Sequence, residues 1–167
     1  HWVVSPATHL YPRPDFKSPP DVALFFGSRA TVTRERDGFY RIQTGHHVPR
    51  QHLMPLRARF DDPIGIADMF LGTPYLWGGT SRWGIDCSGL VQAALLACGI
   101  DCPRDSDQQE LALGEALPEG EPLQRGDLVF WKGHVGIMSS PTTLLHANAH
   151  HMAVAYEPFD EAVERIG

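Results

Sequence analysis

The sequence predicts an α+β chain in two parts: a small all-β part over residues 1–58, then a larger part over residues 62–167 in which helices precede a meander of strands. Three observations carry this reading. Up to about Phe60 the chain is rich in β-branched and aromatic residues broken by turn residues, the pattern of short strands. From Asp61 helix-start signals come first and alternating apolar strands follow, which argues for α+β layers over alternating βαβ units. The charge also changes sign: residues 1–60 carry nine Lys/Arg and four Asp/Glu, whereas residues 61–167 carry five and sixteen. Opposite balances of this kind suit two units that attract one another across an intramolecular interface, and equally two separately solvated surfaces.

In the first part, residues 23–27, 30–33 and 39–43 read as short strands of a compact barrel, with the Pro-rich stretch Pro12 to Pro20 between strands. Asp37-Gly38 is the strongest hairpin signal in the chain. In the second part, Asp61-Asp62-Pro63 supplies a cap and a first-turn proline. Ile64, Ala67, Met69 and Phe70 then make a short apolar helix that stops at Gly72. A second helix runs from about Cys87 to Cys98, with Leu90, Val91, Ala94 and Leu95 at helical spacing on the face that carries Cys87, and Gly99 ends it. Residues 127–131 and 134–138 read as strands joined at Lys132-Gly133, and 144–147 and 152–156 continue the meander. Residues 157–167 read as the start of a closing helix or as the chain's end.

Length and composition bound the function. The 167 residues are 43% hydrophobic, 20% charged and 10% aromatic, an ordinary globular composition with enough material for a buried core. No apolar run approaches the ~20 residues that span a bilayer, and the N-terminal residues lack the basic-then-apolar order of a signal peptide. No Lys/Arg stripe interleaved with aromatics points to nucleic acid. The three cysteines, Cys87, Cys98 and Cys102, are too few and too odd for a disulfide scaffold. A reducing, cytoplasmic compartment is therefore expected over a secreted one, with Cys98 and Cys102 as free thiols.

Cys87 stands in Gly84-Ile85-Asp86-Cys87-Ser88-Gly89, directly before the apolar helix. A thiol in the first turn of a helix faces unpaired backbone N–H groups and the positive end of the dipole, which is expected to lower its pKa. A thiol nucleophile needs a base, and the base needs a third group to orient it. His134 begins one strand and His146 lies on the next, so a hairpin brings their rings near each other on one sheet face. A hydrogen bond between them fixes the tautomer of His134 and leaves its other nitrogen free for the thiol proton. Alone, each of these residues has a plain structural use: a small apolar cysteine, two strand histidines.

The first part resembles a bacterial SH3-like module, through Leu24 to Gly27, Asp37-Gly38-Phe39-Tyr40-Arg41-Ile42 and Val48 to Leu53. The second resembles the NlpC/P60 family of cell-wall cysteine peptidases over about residues 62–156. That resemblance rests on Gly72-Thr73-Pro74-Tyr75-Leu76-Trp77-Gly78-Gly79, Asp86-Cys87-Ser88-Gly89, Pro103-Arg104-Asp105-Ser106-Asp107-Gln108-Gln109, Gly126-Asp127-Leu128-Val129-Phe130-Trp131, and Gly133-His134-Val135-Gly136-Ile137 with His146. It implies a papain-like catalytic domain behind an SH3-like β-barrel, with a Cys87–His134–His146 triad and no cofactor or metal. It implies an oxyanion site at the Cys87 backbone N–H with Tyr75 nearby, and a substrate lining of Tyr75, Trp77, Asp86, Ser88 and Ser106. Relatives with an SH3-like domain cleave the bond between γ-D-glutamate and a diamino acid in peptidoglycan-derived peptides and require a free N-terminal L-alanine. Asp86 is the candidate acid for that amine, with a second acid expected from Asp15, Asp21, Glu35 or Asp37. A monomer is expected.

Three other readings compete. His146, His150 and His151 with Cys98 and Cys102 could hold a metal, although no familiar ligand spacing joins them. The chain could be a non-catalytic wall-binding protein, or a thiol amidase or acyltransferase of the same fold on another substrate.

Overall fold

The computed structural model describes residues 1–118 and 120–167. The chain divides into two compact units, His1–Ala58 and Arg59–Gly167.

The first unit is all β apart from one turn of 3₁₀ helix. Its strands are β1 (Trp2–Val3), β2 (Ala7–Leu10), β3 (Val22–Phe25), β4 (Val32–Arg36), β5 (Phe39–Ile42), β6 (His47–Pro49) and, after the 3₁₀ turn at Arg50–His52, β7 (Leu53–Met54). The compact barrel expected here is not seen as one closed sheet. The strands make three separate sheets, β1–β7, β2–β3 and β4–β5–β6, linked through isolated bridges at Trp2–Arg29 and Tyr11–His47. The strands are two to five residues long, and the stretch from Pro12 to Pro20 interrupts pairing because proline offers no N–H to a ladder. The strand expected at 30–33 lies at Val32–Arg36, and Ala30 N–H instead donates to His1 O. Asp37 and Gly38 both adopt positive φ, 52° and 78°, between the paired residues Arg36 and Phe39. That is the two-residue turn whose twist matches a hairpin. Val3, Leu10, Ile42, Val48 and Leu53 form the buried core of this unit.

The second unit contains α1 (Pro63–Asp68), a small hairpin of β8 (Thr80–Ser81) and β9 (Gly84–Ile85), α2 (Cys87–Ala97), α3 (Ser106–Ala112), β10 (Leu128–Trp131), β11 (His134–Ser140), β12 (Thr143–Asn148), β13 (Ala153–Pro158) and α4 (Phe159–Ile166). The carboxylate of Asp62 accepts the Ile64 N–H at 3.2 Å and caps α1, with Pro63 in the first turn. Gly99 has φ 79° and closes α2. Strands β10 to β13 form one antiparallel sheet in sequence order. Helix α2 packs on one face of it, where Cys87, Val91 and Leu95 meet Val135, Leu128 and Phe130. Helix α4 packs on the other, where Phe159, Ala162 and Ile166 meet Met138, Leu144, Val129 and Trp131. Among the described residues no helix is long and apolar enough to cross a membrane.

Candidate active site

Two groups of polar side chains frame the candidate site, one beside the start of α2 and one running from α4 to the first residue of β11. The α2 side is built on Asp86, which caps the helix: its Oδ1 accepts the Gly89 N–H at 2.7 Å. Its Oδ2 accepts the Gly78 N–H at 2.8 Å and Arg104 Nη2 at 2.7 Å, and Ser88 Oγ donates to Oδ1 at 3.5 Å. Arg104 Nη1 donates to Ser88 Oγ at 2.8 Å, so one guanidinium spans both residues that flank Cys87. The loop carrying Arg104 is held in turn by the buried amide of Gln109, which donates to Ser88 O and Pro103 O, both at 2.9 Å. A Cβ on Gly89 would stand 2.6 Å from Gly79 O, so the approach of the 76–79 loop to α2 requires glycine there.

Cys87 is the first residue of α2 and is buried. The expected lowering of its thiol is reversed: burial pushes the pKa up, and Asp86 adds to this, while the backbone N–H groups of Val135, Ser88 and Cys87 itself pull the other way. Desolvation outweighs the helix terminus because the charged form is the one that burial penalises. Among the described residues no hydrogen bond joins Cys87 to His134. The residue of β11 packed in one cluster with Cys87 is Val135, one residue along from His134.

On the α4 side a chain of charge-assisted hydrogen bonds leads to His134. Arg165 of α4 grips Glu157 of β13 with Nε on Oε1 at 3.0 Å and Nη2 on Oε2 at 2.6 Å. This holds the Glu157 carboxyl below its usual range. Glu157 Oε2 lies 2.8 Å from His146 Nε2, and His146 Nδ1 lies 2.9 Å from His134 Nε2. His146 is fully buried. Burial first, and then the neighbouring His134, push its pKa down to about 4. His134 is pushed down to about 4 by burial and by Arg165. Both rings are therefore neutral near pH 7, and the carboxylate fixes their tautomers. A neutral His146 that donates from Nε2 must accept at Nδ1. His134 then donates from Nε2, and its Nδ1 is an acceptor.

Tyr75 sits in a parallel bridge with Ile85, and its phenol is pushed up by burial and by Cys87 and Asp86 nearby. Ser88 is buried with its hydroxyl engaged as described. Ser106 opens α3. Trp77 is 81% exposed, so it is not core packing. Asp105 precedes α3 but makes no side-chain cap bond, which leaves its carboxylate exposed beside Arg104.

Glu157, Arg165 and Arg104 were not singled out by the sequence reading. The signal for Glu157 was an acid in an otherwise apolar strand on the same face as His146: the register pairs Leu144 with Glu157 and His146 with Ala155, which makes Glu157 the diagonal neighbour of His146. The cysteines Cys87, Cys98 and Cys102 are all free. The metal reading changes composition: ligand atoms of His146, His151 and Glu157 lie within 4.8 Å of one another, without His150 or a thiol. Those residues fit a cation poorly, because the Arg165 guanidinium already occupies Glu157 Oε2.

The model of the NlpC/P60 family matches residues 72–164. The chain belongs to the NlpC/P60 family. This NlpC/P60 chain is 34% identical over 147 residues to a gamma-D-glutamyl-L-lysine dipeptidyl-peptidase of Bacillus cereus, covering 83% of the chain and 41% of that relative. It is 31% identical over 159 residues to a protein of the same name from Bacillus subtilis, covering 87% of the chain and 52% of the relative. The chain thus spans about half the length of these relatives or less. An NlpC/P60 family protein of Bacillus cereus with a solved structure superposes with a TM-score of 0.76 at 30% identity, over 95% of this chain and 57% of that one.

Proposed function

We propose that this chain carries the catalytic part of a cysteine peptidase that hydrolyses the γ-D-glutamyl–diamino acid bond of peptidoglycan stem peptides, in murein peptide recycling or wall remodelling. Cys87 is the nucleophile, His134 the base and His146 the group that orients it. The observation that carries this reading is the chain Arg165–Glu157–His146–His134, which ends in an imidazole Nδ1 acceptor at the start of β11, next to Val135, the residue that packs in one cluster with Cys87.

In this reading the thiol and imidazole start neutral. His134 Nδ1 takes the thiol proton as sulfur attacks the γ-carbonyl carbon, the two side chains closing to hydrogen-bond distance when substrate binds beside them. The tetrahedral oxyanion accepts from the Cys87 backbone N–H, with the Tyr75 hydroxyl beside it. Collapse breaks the C–N bond, and the protonated His134 gives its proton to the departing amine. Water, activated by His134, then hydrolyses the thioester to the γ-glutamyl acid and restores the thiol.

A free N-terminal alanine on the substrate needs an uncommitted acid. The acceptor positions of Asp86 are taken by Gly78, Gly89, Ser88 and Arg104, so Asp86 is reassigned from amine recognition to capping and to positioning Arg104. Asp105, exposed and without a cap bond, takes its place in this proposal. Residues 1–58 are read as an SH3-like module, the chain as a monomer, and the three free thiols as suiting the cytoplasm. The test is a pair of tripeptides, L-Ala-γ-D-Glu-L-Lys with a free and with an acetylated N-terminus. The free peptide should be cleaved and the blocked one spared, and Asp105→Asn should raise KM for the free peptide alone. Equal cleavage of both peptides would remove the amine requirement.

A further inference from the structure

The first unit carries an open surface pocket of about 300 Å³ lined by Pro12, Arg13, Pro14, Arg34, Arg36, Arg41 and His47, its four arginines exposed. Four guanidiniums and an imidazole around one hollow is an arrangement that self-repulsion opposes. The strand register makes the repulsion specific. Arg34 of β4 pairs directly with Arg41 of β5, and Arg41 pairs with His47 of β6, so three basic side chains form one row across the sheet. Like charges directly opposite one another destabilise a sheet.

The acids of this unit do not relieve the row. Asp37 accepts from Arg36 Nε at 2.9 Å and Glu35 accepts from Arg50 at 3.0 Å. Asp21 lies 3.1 Å from His46 Nε2, and Asp15 accepts the Lys17 N–H. These are all four acids among residues 1–58. Among the described residues Arg13, Arg34 and Arg41 have no carboxylate partner, and the buried Nδ1 of His47 has no hydrogen-bond partner.

We propose that this pocket is a binding site for a phosphate-bearing anion of two or more charges. Guanidinium forks match phosphate oxygens two at a time, and several converging on one volume favour a compact multiple charge over a single carboxylate. The volume falls at the lower end of small-ligand pockets, which suits a diphosphate-sized group. The two prolines fix the loop that carries Arg13, so little ordering accompanies binding. The site is independent of the peptidase reading, since none of its residues belongs to the chemistry at Cys87.

The experiment is calorimetric titration of the full chain at fixed ionic strength with pyrophosphate, inorganic phosphate, glycerol phosphate and, as a carboxylate control, citrate. Pyrophosphate should bind with 1:1 stoichiometry and more tightly than citrate. The double variant Arg34→Gln/Arg41→Gln should lose at least about tenfold in pyrophosphate affinity while melting at a higher temperature than wild type without ligand. Arg57→Gln removes a charge outside the pocket and should leave binding unchanged. If the double variant does not fold, Arg13→Gln, on the loop, should show the same loss. No pyrophosphate binding, equal binding of citrate, or binding unchanged in the arginine variants would each overturn the proposal.

Discussion

Glu157 and His146 are joined by a 2.8 Å hydrogen bond in which a carboxylate, itself clamped by Arg165, fixes which nitrogen of a buried imidazole carries the proton. Through His146 the choice passes to His134 at 2.9 Å. The closing helix α4 therefore controls the acid–base state of a ring two strands away.

Glu157 acts through His146, so it is a positioning residue. Glu157→Gln keeps the shape and removes the charge. In steady-state assays kcat should fall on the order of 10²-fold while KM stays near wild type, and Glu157→Asp should recover part of the loss. An unchanged kcat would reduce the contact to scaffolding.

The two depressed imidazoles make stability pH-dependent in a defined direction. Their folded pKa values lie at about 4 against 6.5 for the free side chain. The unfolded chain therefore binds protons that the folded chain refuses, and the stabilisation is full above pH 6.5 and lost as pH falls towards 4. The buried His146 alone accounts for a loss on the order of 3 kcal/mol across that window. Urea midpoints at pH 7.5 and 4.5 should differ clearly in the wild type and less in His146→Gln. An equal difference in both would contradict the assignment.

The raised Cys87 thiol predicts slow chemistry with simple alkylating agents at neutral pH. Iodoacetamide labelling should climb with pH beyond the ordinary thiol range, without the low-pH plateau of a preformed thiolate–imidazolium pair. A plateau near pH 6 would show that the ion pair exists before substrate arrives.

Arg104 neutralises the buried Asp86 at 2.7 Å. Arg104→Leu should lower the unfolding free energy by about 2–3 kcal/mol, because the carboxylate stays buried without its partner. Adding Asp86→Asn should cost less than the sum of the two changes. Strict additivity in denaturant melts would mean that the pair is not coupled.

The elements most legible in the sequence were those set by local chemistry. Asp37-Gly38 demands positive φ at two successive residues, Asp62-Pro63 starts a helix and Gly99 ends one. Helices α3 and α4 were less visible, since Ser106–Ala112 has no apolar stripe and one buried residue, Gln109. In the first unit, strand-like segments show that strands form, while how they join depends on long-range pairing, which here gives three sheets linked by isolated bridges. In the candidate site, Cys87 at a helix start, His134 at a strand start and His146 within the next strand were legible together with the motif resemblance. Glu157 and Arg165 become visible only through cross-strand register and the docking of α4, and Arg104 only through the folding of the loop before α3 onto the start of α2. The basic pocket has the same origin, because Arg34, Arg41 and His47 are dispersed in sequence and aligned by β4–β5–β6 pairing, and the Tyr11–His47 bridge brings in the loop that carries Arg13.

The most direct test of the account is product analysis by mass spectrometry of L-Ala-γ-D-Glu-L-Lys incubated with wild-type chain and with Cys87→Ala. The wild type should release L-Ala-D-Glu and free lysine, and Cys87→Ala should leave the tripeptide intact while still binding it. Cleavage at another bond, or unchanged turnover by Cys87→Ala, would contradict the account.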